Sequence, residues 1–236
     1  MTPFEDRPIG PSVDPRPAMR PERVTMKGRW VTLTPLDPAT HAKDLFDGSS
    51  GDATRDAVWD YLFEPPHRDS KAFRADLEKK AASADPLFFA VVDNTTGWAL
   101  GYQTLMRIDL ANRVIEVGNI MYTPAIQRTP GATEAQYLLA RYVFDELGNR
   151  RYEWKCNALN APSRRAAQRF GFSFEGVFRQ HMIIKGRNRD TAWFSMLDNE
   201  WPARKAAYER WLKPDNFDSA GRQKTRLSDI MPKIAA

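Results

Sequence analysis

The sequence predicts an α/β fold of the α+β kind, with a mixed central sheet of about seven strands flanked by helices. Segments with strand and helix patterns follow one another in the order β-α-α-β-β-β-α-β-α-β-β. In the second half, two strands are each followed by a helix, which is typical of crossovers in a mixed sheet. Hydrophobic residues make up 42% of the 236 residues, enough for a sizeable core in one domain.

The N-terminal segment is rich in proline. Six prolines fall within the first 21 residues, and proline neither donates to a strand ladder nor tolerates helix at the residue before it. We therefore interpret residues 1–23 as an extended arm that lies on the surface or on a partner. The folded domain is expected over residues 24–213, and residues 214–236 are expected to form a polar, basic C-terminal tail.

The first half of the domain begins with a strand and continues with helices. Residues 29–35 are rich in β-branched side chains and predict a strand. Three helices are predicted next, over residues 38–47, 54–62 and 69–82. The apolar run 87–92 predicts a buried strand that ends in a turn at 93–97. Two further strands are predicted over residues 98–108 and 114–122.

The second half alternates strands and helices. A loop is predicted over 124–132 and a helix over 133–147, with apolar residues on one face. Thr133 and Gln136 have the spacing of a capping box, so we expect this helix to begin at Thr133. The remaining elements are a strand at 151–157, a helix at 161–169, hairpin strands at 172–184 and 190–197, and a helix at 203–212.

Charge and cysteine content limit the classes of function. The chain has 35 Lys and Arg against 30 Asp and Glu, a mild excess that suits an anionic ligand without predicting specific nucleic-acid binding. Cys156 is the one cysteine, which excludes an internal disulfide or a cysteine metal cluster and favours a reducing compartment. We see neither an 18-residue apolar run nor a signal core, so we expect no membrane partner and a cytoplasmic location.

Two predicted helix starts carry most of the functional information. The loop Gln127-Arg-Thr-Pro-Gly-Ala-Thr133 leads into one helix, and Asn160-Ala-Pro-Ser163 opens another directly after a strand. A helix N-terminus presents unpaired N–H groups and the positive end of the helix dipole, where phosphate groups bind. The pattern therefore predicts a phosphate-bearing ligand.

The order of elements over about residues 30–197 resembles the GNAT (GCN5-related) N-acetyltransferases, and most closely their ribosomal-protein N-terminal (Rim-type) branch. Four sequence elements carry the resemblance: Ile115-Glu-Val-Gly118, Thr133-Glu-Ala135, Asn160-Ala-Pro-Ser163 and Arg169-Phe-Gly-Phe-Ser-Phe-Glu-Gly176. The resemblance implies the GNAT fold, acetyl-CoA as a co-substrate and no metal. It also implies that the strand at 114–122 splays from its neighbour near Gly118 and Asn119.

The resemblance further implies which residues contact acetyl-CoA. The family loop Gln/Arg-x-x-Gly-x-Gly/Ala is matched by Arg128 and Gly131, whereas Thr133 replaces a small residue and Pro130 removes one N–H. The backbone of the splayed strand is expected to bind the acetyl carbonyl. The implied cofactor contacts are Ile120, Met121, Tyr122, Gln127, Arg128, Thr129, Gly131, Ala132, Thr133, Asn160 and Ser163.

Two residues are implied to move protons. Ser163 matches the family's donor to the departing thiolate. By alternation Glu116 shares a sheet face with Gly118 and Ile120, where burial would raise its pKa and make it a candidate base. The alternative is an ion pair between Glu116 and an Arg on the neighbouring strand, such as Arg107.

Other candidates have ordinary structural alternatives. His181 is a rival base if it faces the cleft, although a lone strand histidine is more often structural. Asn160 is fully explained as a helix cap, with its cofactor contact implied by the resemblance. Trp59, Tyr61 and Phe63 either form a wall of the acceptor pocket or pack in the core. Cys156 is expected to pack in the core.

The chemistry of the amine favours one acceptor. At neutral pH an α-amine, with a pKa of about 7.7–8.0, is neutral far more often than a lysine at about 10.4. We therefore predict transfer of acetyl from acetyl-CoA to a protein N-terminus, such as that of a ribosomal protein. A homodimer is compatible with this function. The alternatives are a small-amine or antibiotic acetyltransferase, a non-catalytic acyl-CoA-binding module, and a basic RNA- or ribosome-associated protein.

Overall fold

The computed structural model describes residues 10–232, which contain one eight-stranded sheet. Its strands lie in the order β1-β2-β3-β4-β5-β6-β8-β7. They are β1 Met26–Lys27, β2 Val31–Pro35, β3 Leu87–Asp93, β4 Ala99–Asp109, β5 Val114–Tyr122, β6 Arg151–Asn157, β7 Ser173–Ile184 and β8 Arg187–Leu197. Strands β5 and β6 run parallel, and the other described pairs are antiparallel.

Helices cover both faces of this sheet. They are α1 Pro38–Ser49, α2 Ala53–Asp56, α3 Ser70–Ala82, α4 Pro130–Arg141, α5 Ala161–Arg169, α6 Trp201–Trp211 and α7 Leu227–Ile230. A π-helical turn, Tyr142–Glu146, extends α4, and 3₁₀ turns lie at Ala57–Trp59 and Pro214–Asn216. The predicted mixed sheet flanked by helices is therefore confirmed. The strand added to the predicted seven is β1, whose two residues are too few to show a pattern.

The core has two parts because β3 is buried on both faces. Phe89 and Val91 belong to the larger cluster, under α4 and α6, whereas Phe88 and Ala90 belong to a smaller cluster under α1 and α3. Successive side chains of a strand point to opposite faces. A continuous apolar run is thus what a strand covered by helices on both sides requires.

The prediction that α4 begins at Thr133 is wrong. Its N-cap is Thr129, whose hydroxyl accepts from the Ala132 N–H at 3.3 Å and donates to the Ile126 carbonyl at 2.7 Å. Pro130 then occupies the first turn, where its missing N–H costs nothing. Thr133 is buried one turn inside the helix. The capping-box spacing was thus present without the capping geometry.

Both described terminal segments lie against the domain. In the arm, the Ala18 and Met19 N–H groups donate to the Leu110 and Leu147 carbonyls, both at 2.9 Å. Residues 10–23 contain no helix or strand, and these two hydrogen bonds hold the segment against the domain. Residues 1–9 and 233–236 lie outside the described part of the chain.

The predicted C-terminal tail packs on the domain as far as residue 232. The Phe217 ring lies 5.3 Å from Trp30 and 5.1 Å from Trp211, and Leu227 is fully buried. A few large apolar residues in a polar segment are enough to hold it on the domain. None of the helices in residues 10–232 has both the length and the apolar character required to span a bilayer.

Candidate active site

The sheet opens between its two parallel strands. β5 and β6 pair only from Val114 opposite Arg151 to Val117 opposite Trp154, and no register follows beyond that point. A bulge lies in β5 immediately after, where Asn119 has a φ of 45° and the β4 register shifts. The predicted splay at Gly118 and Asn119 is therefore where the strands part. Within residues 10–232, it leaves one edge of residues 118–122 without a partner strand.

A cavity of about 710 Å³ fills this opening. It is bounded by β5 and β6, by the starts of α4 and α5, and by the segment 57–63. Among the predicted site residues, those that line it are Glu116, Ile120, Tyr122, Gln127, Arg128, Ala132, Asn160 and Ser163. Most of the predicted site residues thus meet in one place, although they come from distant parts of the chain.

The α4 side of the cavity is formed by the loop before the helix. Arg128 has a φ of 62°, and the Gln127 side chain donates to the Tyr122 carbonyl at 2.9 Å. Gly131 instead faces β2, where a Cβ would lie 2.8 Å from Val31 Cγ1. Among described residues, Thr129, Gly131 and Thr133 are not part of the lining. These three residues belong to the start of α4, and their neighbours Arg128 and Ala132 face the cavity.

The α5 side is formed by its capping residues. The Asn160 side chain accepts from the Ser163 N–H at 3.1 Å, as expected of an N-cap. The Ser163 hydroxyl accepts from the Trp154 indole N–H at 3.0 Å. Burial raises the pKa of the Cys156 thiol, and the Ser163 hydroxyl opposes that shift. Cys156 is buried as predicted, yet it also lines the cavity.

Two arginines at this end were not identified as site residues from the sequence. Arg165 and Arg169 of α5 line the cavity. Arg169 donates to the Thr133 hydroxyl at 3.0 Å and lies 5.2 Å from the centre of the Trp211 ring. Burial lowers the pKa of Arg169. The i,i+4 spacing of the two arginines on α5 was the available signal, because it places both on one helix face.

The residues at this end fit acetyl-CoA. The starts of α4 and α5 bring the positive ends of two helix dipoles to this end, and Arg128, Arg165 and Arg169 supply positive charge for phosphates. The Gln136 carbonyl oxygen is buried there without a hydrogen-bond partner. This end therefore has unused hydrogen-bonding capacity as well as charge.

Glu116 lies at the opposite end, in a cluster of charges in which the side chains of Glu116 and Lys155 are buried and that of Arg107 is exposed. It is 4% exposed, and its carboxylate lies 2.8 Å from Lys155 Nζ and 3.2 Å from Arg107 Nε. Lys155 also lies 2.6 Å from Glu153. The ion pair with Arg107 is therefore present, as the structural alternative predicted. Lys155 was missed, although it lies on the strand paired with β5.

Burial controls the acidity of Glu116. Loss of hydration raises the pKa of Glu116, while Lys155 and, more weakly, Arg107 oppose the shift. A carboxylate with a raised pKa is a better proton acceptor than one in water, provided that it stays ionised. The adjacent cations keep it ionised.

His181 lies outside this cavity. It borders a separate surface hollow together with Phe178, and its Nδ1 is 2.9 Å from the Thr191 hydroxyl. β7 bulges there, since Phe178 pairs with Thr191 and Met182 with Arg189. The condition set for His181 as a base, that it face the cleft, is not met in the structure.

The three aromatic residues proposed for the acceptor wall divide between the two alternatives. Tyr61 and Phe63 line the cavity, whereas Trp59 is fully buried and donates to the Ser49 carbonyl at 2.7 Å. Met121 likewise packs in the smaller core cluster, between Ile120 and Tyr122, which line the cavity. Strand alternation separates neighbours in sequence in this way.

Metal ligands are not clustered in the described structure. Within residues 10–232, no three His, Cys, Asp or Glu side chains are grouped closely enough to hold a metal ion.

Comparison with known proteins identifies the family. Residues 31–173, more than half of the chain, match the family described as "Acetyltransferase (GNAT) domain". The chain therefore belongs to the GNAT acetyltransferase family. The crystal structure of a GCN5-related N-acetyltransferase from Brucella melitensis is 55% identical and has a TM-score of 0.89. The match covers 91% of this chain and 97% of the Brucella chain.

Two further relatives are more distant. A probable GNAT-family acetyltransferase from Chromobacterium violaceum is 40% identical, with a TM-score of 0.75, over 84% of this chain and 100% of that chain. The Bacillus subtilis (strain 168) protein named "Putative ribosomal N-acetyltransferase YdaF" is 29% identical over 109 residues. That match covers 46% of this chain and 59% of the Bacillus protein, less than two thirds of its length.

Proposed function

We propose that this protein transfers the acetyl group of acetyl-CoA to the α-amine of a protein N-terminus. The observation that carries the proposal is the opening between β5 and β6. It has two helix starts and three arginines at one end and the buried Glu116 at the other. Such a cavity can hold an anionic thioester and an amine on opposite sides of one reacting carbonyl. A reducing, cytoplasmic setting agrees with the single cysteine.

The cofactor end supplies binding and orientation. When bound, acetyl-CoA supplies the activated acetyl group, and the protein supplies position and electrostatics. Arg128, Arg165 and Arg169 are the proposed phosphate contacts, together with the starts of α4 and α5. The unpartnered edge of residues 118–122 is the proposed donor to the acetyl carbonyl, where negative charge grows during attack.

The acceptor end supplies a proton acceptor. Glu116 is the proposed base, acting directly or through one water, with Lys155 and Arg107 holding the carboxylate ionised and fixed in place. A carboxylate is a modest base, so the acceptor amine must lose its proton readily. An α-amine meets this requirement far better than a lysine side chain. The name of the Bacillus relative, a ribosomal N-acetyltransferase, supports the same class of acceptor.

Ser163 is the proposed donor to the leaving sulfur. Its hydroxyl already accepts a hydrogen bond from Trp154, which polarises the O–H and fixes its position. A serine hydroxyl is a poor acid in water, so position matters more than its pKa.

Free-thiol release from acetyl-CoA tests the proposed function. Purified protein is mixed with acetyl-CoA and, separately, with short peptides bearing a free N-terminus, the same peptides with a blocked N-terminus and one lysine, and small amines. We expect turnover with free N-termini and little with the blocked peptides. Turnover confined to small amines would replace the proposed acceptor, and thioester binding without any turnover would indicate a binding module.

A further inference from the structure

The acceptor end of the cavity has one cation more than its ion pairs use. Lys155 contacts Glu116 and Glu153, and Arg107 contacts Glu116. Arg189 is left over, since within residues 10–232 no carboxylate oxygen lies within 4.0 Å of its guanidinium nitrogens. Its Nε is buried and has no hydrogen-bond partner. A desolvated cation without a partner is costly to hold, so an anion that reaches it binds favourably.

Arg189 is placed to meet a ligand. It projects from β8 into the cavity lining, and its guanidinium carbon lies 5.8 Å from the centre of the Phe63 ring. Half-burial removes part of the hydration of the guanidinium and lowers the pKa of Arg189. Asp60, the remaining acidic residue of the lining, is exposed and does not pair with it.

Arg189 lies beside the aromatic wall proposed for the acceptor. Phe63 of that wall is its aromatic neighbour, whereas the arginines proposed to bind phosphate lie before α4 and on α5. Binding of the CoA phosphates by those arginines leaves the guanidinium of Arg189 available for another anion.

We propose that Arg189 binds an anionic group on the acceptor, close to the amine that is acetylated. The inference rests on the proposed function and narrows its acceptor to amines that carry a nearby carboxylate. A guanidinium presents a planar fork of N–H donors that matches a carboxylate with two hydrogen bonds. The carboxylate has two possible sources, an acidic side chain within the first residues of a protein N-terminus, or the α-carboxylate of a free amino acid.

Turnover of matched charged and neutral acceptors tests whether Arg189 binds a carboxylate. In one arm, peptides that begin Ser-Asp or Ser-Glu are compared with Ser-Asn and Ser-Gln. In the other arm, free amino acids are compared with their α-amides. We expect the wild-type protein to prefer the charged member in one arm by roughly 10- to 100-fold in kcat/KM, the value of one charge-assisted contact. The arm that shows the preference identifies the source of the carboxylate.

Substitutions of Arg189 test whether this residue causes the preference for charged acceptors. R189M should reduce the ratio to near one, because it removes the contact that distinguishes the charged acceptor from the neutral one. R189K keeps the charge without the fork and should leave a smaller preference, which also covers the case in which R189M folds poorly. The matched control is R187M, an exposed arginine two positions earlier on the same strand. It should keep the wild-type ratio.

A binding measurement distinguishes a failure of this inference from a failure of the proposed function. Calorimetry on CoA-loaded protein compares the charged and neutral members of each pair without turnover. If the charged members bind no more tightly than the neutral ones, the inference is overturned, whether or not acetyl transfer occurs. If charged acceptors bind preferentially and R189M abolishes the preference, the inference stands even where no amine is acetylated. In that last case the proposed function alone fails.

Discussion

The two ends of the cavity are built from different parts of the chain. The cofactor end consists of two helix starts with arginines around them. The acceptor end consists of charged side chains, in which the Glu116 carboxylate lies 2.8 Å from Lys155 Nζ and 3.2 Å from Arg107 Nε. A site that uses the dipoles of two helices tolerates side-chain changes, whereas a site made from an ion cluster depends on each member. The difference predicts where single substitutions act.

The largest effect is expected at the acceptor end. Glu116→Gln keeps the shape and removes the basicity, so kcat should fall by about 10²–10⁴-fold, the usual contribution of a general base. The defect should shrink as pH rises, because an α-amine then loses its proton without help. Initial rates from pH 6 to 9 measure this. Glu153→Gln, which also removes a partner of Lys155, is the control. Equal defects in both variants would indicate that Glu116 only holds the ion cluster together.

A smaller loss is expected where the two ends meet. Ser163→Ala removes the proposed donor to the leaving sulfur, and turnover should fall by about tenfold or more with the affinity for acetyl-CoA nearly unchanged. The comparison of kcat with a directly measured Kd checks it. Wild-type turnover together with a lower Tm would instead assign Ser163 to support of Trp154, its hydrogen-bond donor.

The pH profile should move when Lys155 is replaced. Burial raises the pKa of Glu116 and Lys155 opposes that rise. The base form is lost as pH falls through this pKa, so the acid limb of kcat/KM should lie above the ordinary Glu value of 4.5. Lys155→Met should move the limb further up, by about one unit or more. A limb that stays in place would mean that Glu116 is not the titrating group.

The smallest effect is expected at the edge of the cofactor end. Arg128 precedes α4, and Arg128→Ala should weaken acetyl-CoA binding by only a fewfold, since the two helix starts, Arg165 and Arg169 remain. A thermal-shift titration with acetyl-CoA measures it. A complete loss of the shift would show that this end depends on side chains as much as the acceptor end does.

The sequence predicted the elements of the fold better than their starts. The strands 114–122 and 151–157 and the helix 161–169 have the predicted bounds, because their apolar patterns and the cap at Asn160 agree. The start of α4 failed, since Thr129 and Thr133 are both plausible caps and tertiary contacts choose between them. Arg169 holds Thr133 inside the helix, and Glu134 accepts three backbone N–H groups from residues 29–31.

The candidate site was predicted in part for a similar reason. Residues adjacent to a recognisable turn or cap, such as Gln127, Arg128, Asn160 and Ser163, could be assigned to the cavity before it was seen. Lys155 and Arg189 could not, because their importance depends on strand register and on which carboxylates remain unpaired. Charges that are defined by their partners become visible only in three dimensions.

Affinity for acetyl-CoA, measured by calorimetry on four proteins, distinguishes the roles of the two ends. The wild-type protein, Glu116→Gln and Arg169→Met are compared at one pH, with Arg169→Lys as the conservative variant and Tm as a check on folding. We expect Glu116→Gln to bind like the wild type and Arg169→Met to bind about tenfold more weakly, as befits the loss of one charged phosphate contact. Weakening in Glu116→Gln equal to that in Arg169→Met, or wild-type binding by Arg169→Met, would contradict the division of the cavity into a cofactor end and an acceptor end.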